Sequence, residues 1–74
     1  METGILKQWD ADRRFGIIYC SGNRRFFLHV TNVIAGTPTL FHRVTFDVGT
    51  ARHPSELAPA LNATIGEEIP SVRR

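Results

Sequence analysis

Arg13-Arg14-Phe15-Gly16-Ile17-Ile18 and Arg25-Phe26-Phe27-Leu28-His29 are the two stretches that decide how this 74-residue chain is read. Both are rich in β-branched and aromatic residues, the composition of strands. Successive side chains of a strand point to opposite faces. In the first run Gly16, Ile18 and Cys20 share one face, and Phe15, Ile17 and Tyr19 the other. In the second, Phe26, Leu28 and Val30 oppose Arg25, Phe27 and His29. The sets that carry charge must face solvent. Phe15 and Phe27 are therefore expected on the outer face of adjacent strands, beside His29 and Lys7.

Ser21-Gly22-Asn23 joins the two strands, and Gly and Asn tolerate the positive φ that a tight hairpin requires. Upstream, Gly4-Ile5-Leu6-Lys7-Gln8-Trp9 reads as a first strand, and Asp10-Ala11-Asp12 supplies turn chemistry. Downstream, Thr31-Asn32-Val33-Ile34 is expected to form a single helical turn capped by Thr31. Arg43-Val44-Thr45-Phe46-Asp47-Val48 alternates cleanly, which predicts a fourth strand with Val44, Phe46 and Val48 on one face. Residues 49–59 hold Gly, Pro, Ser and His and read as a long connection. Leu61-Asn62-Ala63-Thr64-Ile65 is expected to be a short fifth strand. Residues 1–66 thus make one domain, and 67–74 read as a polar tail or the start of a linker. Five short strands cannot build a two-sheet sandwich with much core. A small closed antiparallel barrel removes exposed edges and needs little chain.

Composition sets further limits. Apolar residues make up 42% of the chain, and no apolar run approaches the ~20 residues of a membrane helix. The N-terminus, Met-Glu-Thr-Gly-Ile-Leu-Lys, has no basic segment followed by an apolar one, so no signal peptide is expected. Cys20 is the only cysteine, which precludes an internal disulfide and suits a reducing cytoplasm. His29, His42 and His53 are scattered without metal-ligand spacing, so no metal or other cofactor is expected. Net charge is only +2, but it is unevenly spread. From Ile5 to His29 the cations are Lys7, Arg13, Arg14, Arg24 and Arg25, against Asp10 and Asp12 alone. That half of the chain has the electrostatic footprint of a phosphate-binding surface.

The order Gly4-Ile5-Leu6-Lys7-x-Trp9-x-Ala11-Asp12-Arg13-x-Phe15-Gly16-x-Ile18, followed by Phe27-Leu28-His29, resembles a cold-shock domain. That family opens G-x-V-K-W-F-N, then shows K-G-F-G-F-I and V-F-V-H. The likeness continues more weakly through Arg43-Val44-Thr45-Phe46-Asp47-Val48 and Ala60-Leu61-Asn62-Ala63-Thr64 and spans roughly residues 3 to 65. It implies an all-β, five-stranded OB-type barrel that stacks single-stranded RNA or DNA on surface aromatics. Lys7, Arg13, Phe15, Phe27 and His29 match the family's binding positions, and Trp9 falls where the family has Phe. There are departures. Gln8 stands where the family has an exposed Trp, Ile17 replaces its second Phe, and Val30 the aromatic after His. Arg14 replaces a Gly. The loop before strand four lacks its usual aromatic, with Phe41 nearby.

The expected binding set is therefore Lys7, Trp9, Arg13, Phe15, Ile17, Arg25, Phe27 and His29. Flat bases suit the aromatics and phosphates suit the cations, with little sequence preference. The expected partner is single-stranded RNA or DNA, and the expected state a monomer. The alternative is an interaction module, an OB-type barrel whose eroded base-binding face docks on a protein. No enzyme is expected. The acids Asp10, Asp12 and Asp47 lie at turns or on separate strands, and no glycine loop cradles phosphate.

Overall fold

The computed structural model describes residues 1–53 and 56–68. It is all-β. The strands are β1 (Glu2–Asp10), β2 (Phe15–Cys20), β3 (Arg24–His29), β4 (Val33–Ala35), β5 (His42–Val48) and β6 (Ala60–Glu68). They form one curled sheet in the order β3-β2-β1-β5-β6-β4. Every pairing is antiparallel except β4 with β6, which is parallel. The sheet bends toward closure where the Phe27 amide donates to the Ala58 carbonyl at 3.0 Å. Phe27 also forms a parallel bridge with Pro59. The result is a half-barrel consistent with a small OB-like barrel.

The first two turns form as their residues dictate. Asp10 Oδ1 accepts from the Asp12 and Arg13 amides at 3.0 and 3.1 Å, so the side chain folds the β1–β2 turn over itself. Gly22 (φ 76°) and Asn23 (φ 61°) take up the left-handed conformations of the β2–β3 loop. The next segment differs from expectation. Val30–Asn32 is a 3-10 turn, capped by His29 rather than Thr31, because His29 Nδ1 accepts from the Thr31 amide. Val33–Ala35 then extends as β4, so the described residues form six strands where the pattern predicts five. Three residues are too few to show a period, and only pairing with β6 reveals them as a strand. β6 is also longer than predicted and runs through Glu68, taking in the first two residues of the predicted tail. The remainder of that tail, 69–74, lies outside the described residues.

Two irregularities bend β6. Between Thr45 and Asp47 of β5 the register advances from Thr64 to Leu61, so β6 carries an extra residue there. Asn62, at φ 52°, occupies that bulge, and its side chain donates to Asp47 Oδ2 at 3.3 Å. A second extra residue lies between Ile65 and Glu68. Bulges increase local twist, which lets one nine-residue strand wrap the open side of the sheet.

Leu6, Ile18, Phe26, Leu28, Val44, Phe46, Ala60 and Ala63 form the buried core. The alternation of β2, β3 and β5 thus faces as predicted. Phe26 and Phe46 meet at 5.1 Å between ring centroids, tilted by 59°. Val48 continues the Phe46 face, but it sits at the strand end and stays 47% exposed. Phe46→Ala should therefore cost about 3–5 kcal/mol, through lost transfer energy and a cavity. Val48→Ala should cost less than about 1 kcal/mol. Urea denaturation of both variants checks the pair, and equal costs would contradict this packing.

Candidate nucleic-acid interface

β1 contains the feature that sets the composition of the outer face. Leu6 pairs with Ile18, but Gln8, two residues on, pairs with Ile17. Lys7 is the extra residue of a β-bulge. After it the alternation of β1 is reversed. Gln8 joins the outer face opposite Ile17, and Trp9 turns inward opposite Gly16. Lys7 also stays outside, with its ammonium 5.4 Å from the Tyr19 ring centroid. Gly16 permits this arrangement. A Cβ there would collide with the Gln8 carbonyl oxygen and lie 2.8 Å from Trp9 Cε3.

On β2 and β3 the register places Phe15 opposite His29, Ile17 opposite Phe27, and Tyr19 opposite Arg25. Phe15 and Phe27 are diagonal neighbours on one face, within reach for aromatic side chains. Their centroids lie 5.2 Å apart with the planes 34° from parallel. His29 continues the row, 6.4 Å from Phe27. Phe15, Ile17, Tyr19, Phe27 and His29 are all half-buried, while Lys7, Gln8, Arg13, Arg14 and Arg25 are exposed. The structure thus joins Lys7, Phe15, Ile17, Arg25, Phe27 and His29 on one face and sets Arg13 at its edge, in the β1–β2 turn. Trp9 is not brought to that face. The bulge turns it inward, where it packs half-buried against the core.

The charges on this face are open. Among the described residues the ion pairs are Arg24 with Glu2 at 3.2 Å and His53 with Glu56 at 4.0 Å. Lys7, Arg13, Arg14 and Arg25 enter none of them. Arg24, by contrast, is held by Glu2 and the Ser21 carbonyl. His29 is oriented by its own chain. The Thr31 amide can only donate, so in the neutral ring Nδ1 is the acceptor and Nε2 carries the proton. Nε2–H is then a donor left for a ligand.

Beyond the expected set, the structure adds Tyr19 and the wall of a cleft, and it places Phe41, which the sequence offers near the missing loop aromatic. Tyr19 shares the phase of Phe15 and Ile17, and its hydroxyl accepts from Gln8 Nε2 at 3.4 Å while its ring receives Lys7. The same alternation that marks Phe15 marks Tyr19. Phe41 is 37% exposed and has φ 67°, a conformation that bulky side chains rarely adopt. Its amide donates to the Leu6 carbonyl at 2.7 Å, which ties the loop before β5 to the bulge. Beyond Phe27 the surface opens into a cleft of about 700 Å³ lined by Asn32, Arg52, His53, Leu57 and Leu61, among others. No sequence signal links the Arg52 region to β3, because it is brought there by tertiary pairing, the Phe27–Ala58 hydrogen bond and the Phe27–Pro59 bridge.

No helix among the described residues is long and apolar enough to cross a membrane. Neither a protein-family model nor a curated protein matches the chain.

Cys20, at the end of β2, packs half-buried against the core. Burial raises its thiol pKa, and Arg24 partly opposes that while Glu2 reinforces it. The native thiolate fraction is therefore low. Iodoacetamide at mildly alkaline pH should alkylate the native thiol more slowly than the urea-unfolded one, as mass spectrometry can follow. Because the folded pKa is the higher one, the Cys20 contribution to stability is full below the unfolded thiol pKa. It should fade as pH rises from there through the folded value.

Proposed function

We propose that this domain binds single-stranded RNA or DNA as a cytoplasmic monomer, by base stacking and phosphate contacts, with no chemical step. The observation that carries the reading is the Phe15–Phe27 pair. Two aromatic rings in contact are left half-exposed on adjacent strands, and His29 and unpaired cations surround them. Bases stack on aromatic faces regardless of identity, and Lys and Arg meet the phosphates. The similarity of these motifs to the cold-shock domain supports the same reading. The cleft beside Phe27 gives the strand a place to continue, with Arg52 and His53 on its wall.

A face of this size covers roughly 4–8 nucleotides. Heptathymidine and heptauridine at low salt should shift the amide resonances of β2 and β3. If neither moves them, the proposal fails and the interaction-module reading replaces it. Stacking and charge separate by salt. Phe27→Ala should weaken binding by about 1–3 kcal/mol with the salt slope little changed. Arg13→Ala should reduce the slope by about 0.7, one phosphate's share for a single strand. Anisotropy of a labelled heptamer across salt concentrations measures both, and an unchanged slope for Arg13→Ala would remove Arg13 from the phosphate contacts.

Gln8 tests the extent of the face. The bulge puts it outside, opposite Ile17, where a larger ring meets no core. Gln8→Trp should tighten binding about 5- to 150-fold, the worth of one added stack, with the same salt slope. Unchanged affinity in a folded Gln8→Trp variant would show that the strand does not cross β1.

A further inference from the structure

Arg14 holds a left-handed backbone conformation, φ 62°, that L side chains other than Asn and Asp rarely adopt. The other left-handed turn residues of the β1–β3 hairpins, Gly22 and Asn23, are types suited to it. The conformation of Arg14 is fixed from both sides. Its amide donates to the Asp10 carbonyl at 2.7 Å, and its carbonyl accepts from the Val30 amide at 2.9 Å. The first bond closes the β1–β2 turn, and the second ties that turn to the end of β3. The backbone therefore cannot relax to suit the side chain. A glycine would satisfy both bonds without strain.

The side chain offers no compensation within the fold. It is exposed, and among the described residues it forms no ion pair or side-chain hydrogen bond. Its neighbours are the parts of the proposed face. Phe15 follows it directly, Phe15 pairs with His29, and Val30, which bonds to Arg14, follows His29. An unpaired guanidinium thus sits at the end of the aromatic row, in the one local backbone position where its presence costs stability. Strain that the fold does not repay is a mark of a functional position.

Resting on the reading above, we infer that Arg14 is a phosphate-contact residue, retained against backbone strain to grip the single strand where it leaves the Phe15 and His29 end of the face. Its ligand is a phosphodiester of the bound strand. The position gives charge rather than base readout, so its effect is the same for every sequence.

The test compares wild type, Arg14→Gly and Arg14→Lys in two measurements. Urea denaturation should show a higher midpoint for Arg14→Gly, since the strain is gone. Anisotropy titration of a labelled heptathymidine across salt should show the opposite trend for binding. Arg14→Gly should lose about 0.7 of the salt slope, which is about 8-fold in affinity at 50 mM salt and vanishes toward 1 M. Arg14→Lys keeps the charge and should keep the slope. An Arg14→Gly variant with the wild-type slope overturns the inference, whether its affinity is unchanged or lower, because a loss without a slope change is structural. A reduced slope in Arg14→Lys overturns it equally. If wild type itself does not bind, the functional proposal fails and this inference with it. If wild type binds and only the Arg14 slopes agree, the functional proposal stands alone.

Discussion

The bulge at Lys7 is the constraint on which the outer face depends. With unbroken alternation, β1 would carry Lys7 and Trp9 outside and put Gln8 inside with Leu6, burying an amide in a core that, among the described residues, otherwise holds no polar side chain. One extra residue resolves this. Lys7 and Gln8 both reach solvent, and Trp9 adds its large apolar area to a core built, among the described residues, from only eight buried residues, two of them alanine. In so small a domain that area is hard to replace. Gly16 is part of the same device, because the close approach of β1 at the bulge leaves no room for a side chain opposite Trp9. The Phe41 amide then caps the Leu6 carbonyl, at the point where β1 outruns its pairing with β5.

Much of this fold is legible in the sequence, for a physical reason. β2, β3 and β5 each have one face in the core and one outside, so their hydrophobic pattern has a clean period of two, and Ile18, Leu28, Val44 and Phe46 fall where that pattern puts them. The hairpin residues Gly22 and Asn23 declare their positive φ by type. What the sequence hides is whatever depends on pairing. β4 is three residues long and exists because β6 lies beside it. The full length of β6 is obscured by two bulges, each of which resets the alternation. The reversal at Lys7 is hidden in the same way, and it is why Trp9 reads as a surface aromatic while sitting inside.

The candidate site divides along the same line. Phe15, Ile17, Phe27 and His29 are readable because they lie on regular stretches of β2 and β3. The face of Tyr19 is readable in the same way, but its contacts, like the place of Gln8 and the wall of the cleft, are tertiary products. Tyr19 gains its place through Lys7 above its ring and Gln8 on its hydroxyl, and both contacts follow from the bulge. Arg52 and His53 reach Phe27 only because the chain before β6 closes onto β3.

On the proposed reading, the same geometry predicts that such a face discriminates bases poorly. Its contact area is made of Phe15, Ile17 and Phe27, which offer ring faces and methyl groups but no hydrogen bonds. Its polar groups are largely committed. Gln8 is turned to Tyr19, His29 Nδ1 to Thr31, and Asp10 to the turn amides. The free donors are the cations and His29 Nε2–H, and cations find phosphates at every nucleotide. Discrimination needs donors and acceptors fixed along a base edge, and beyond the aromatic row the cleft beside Phe27 offers the Asn32 amide in its lining. A surface built of stacking area and unpaired charge binds many sequences with similar strength, and its affinity is governed by salt.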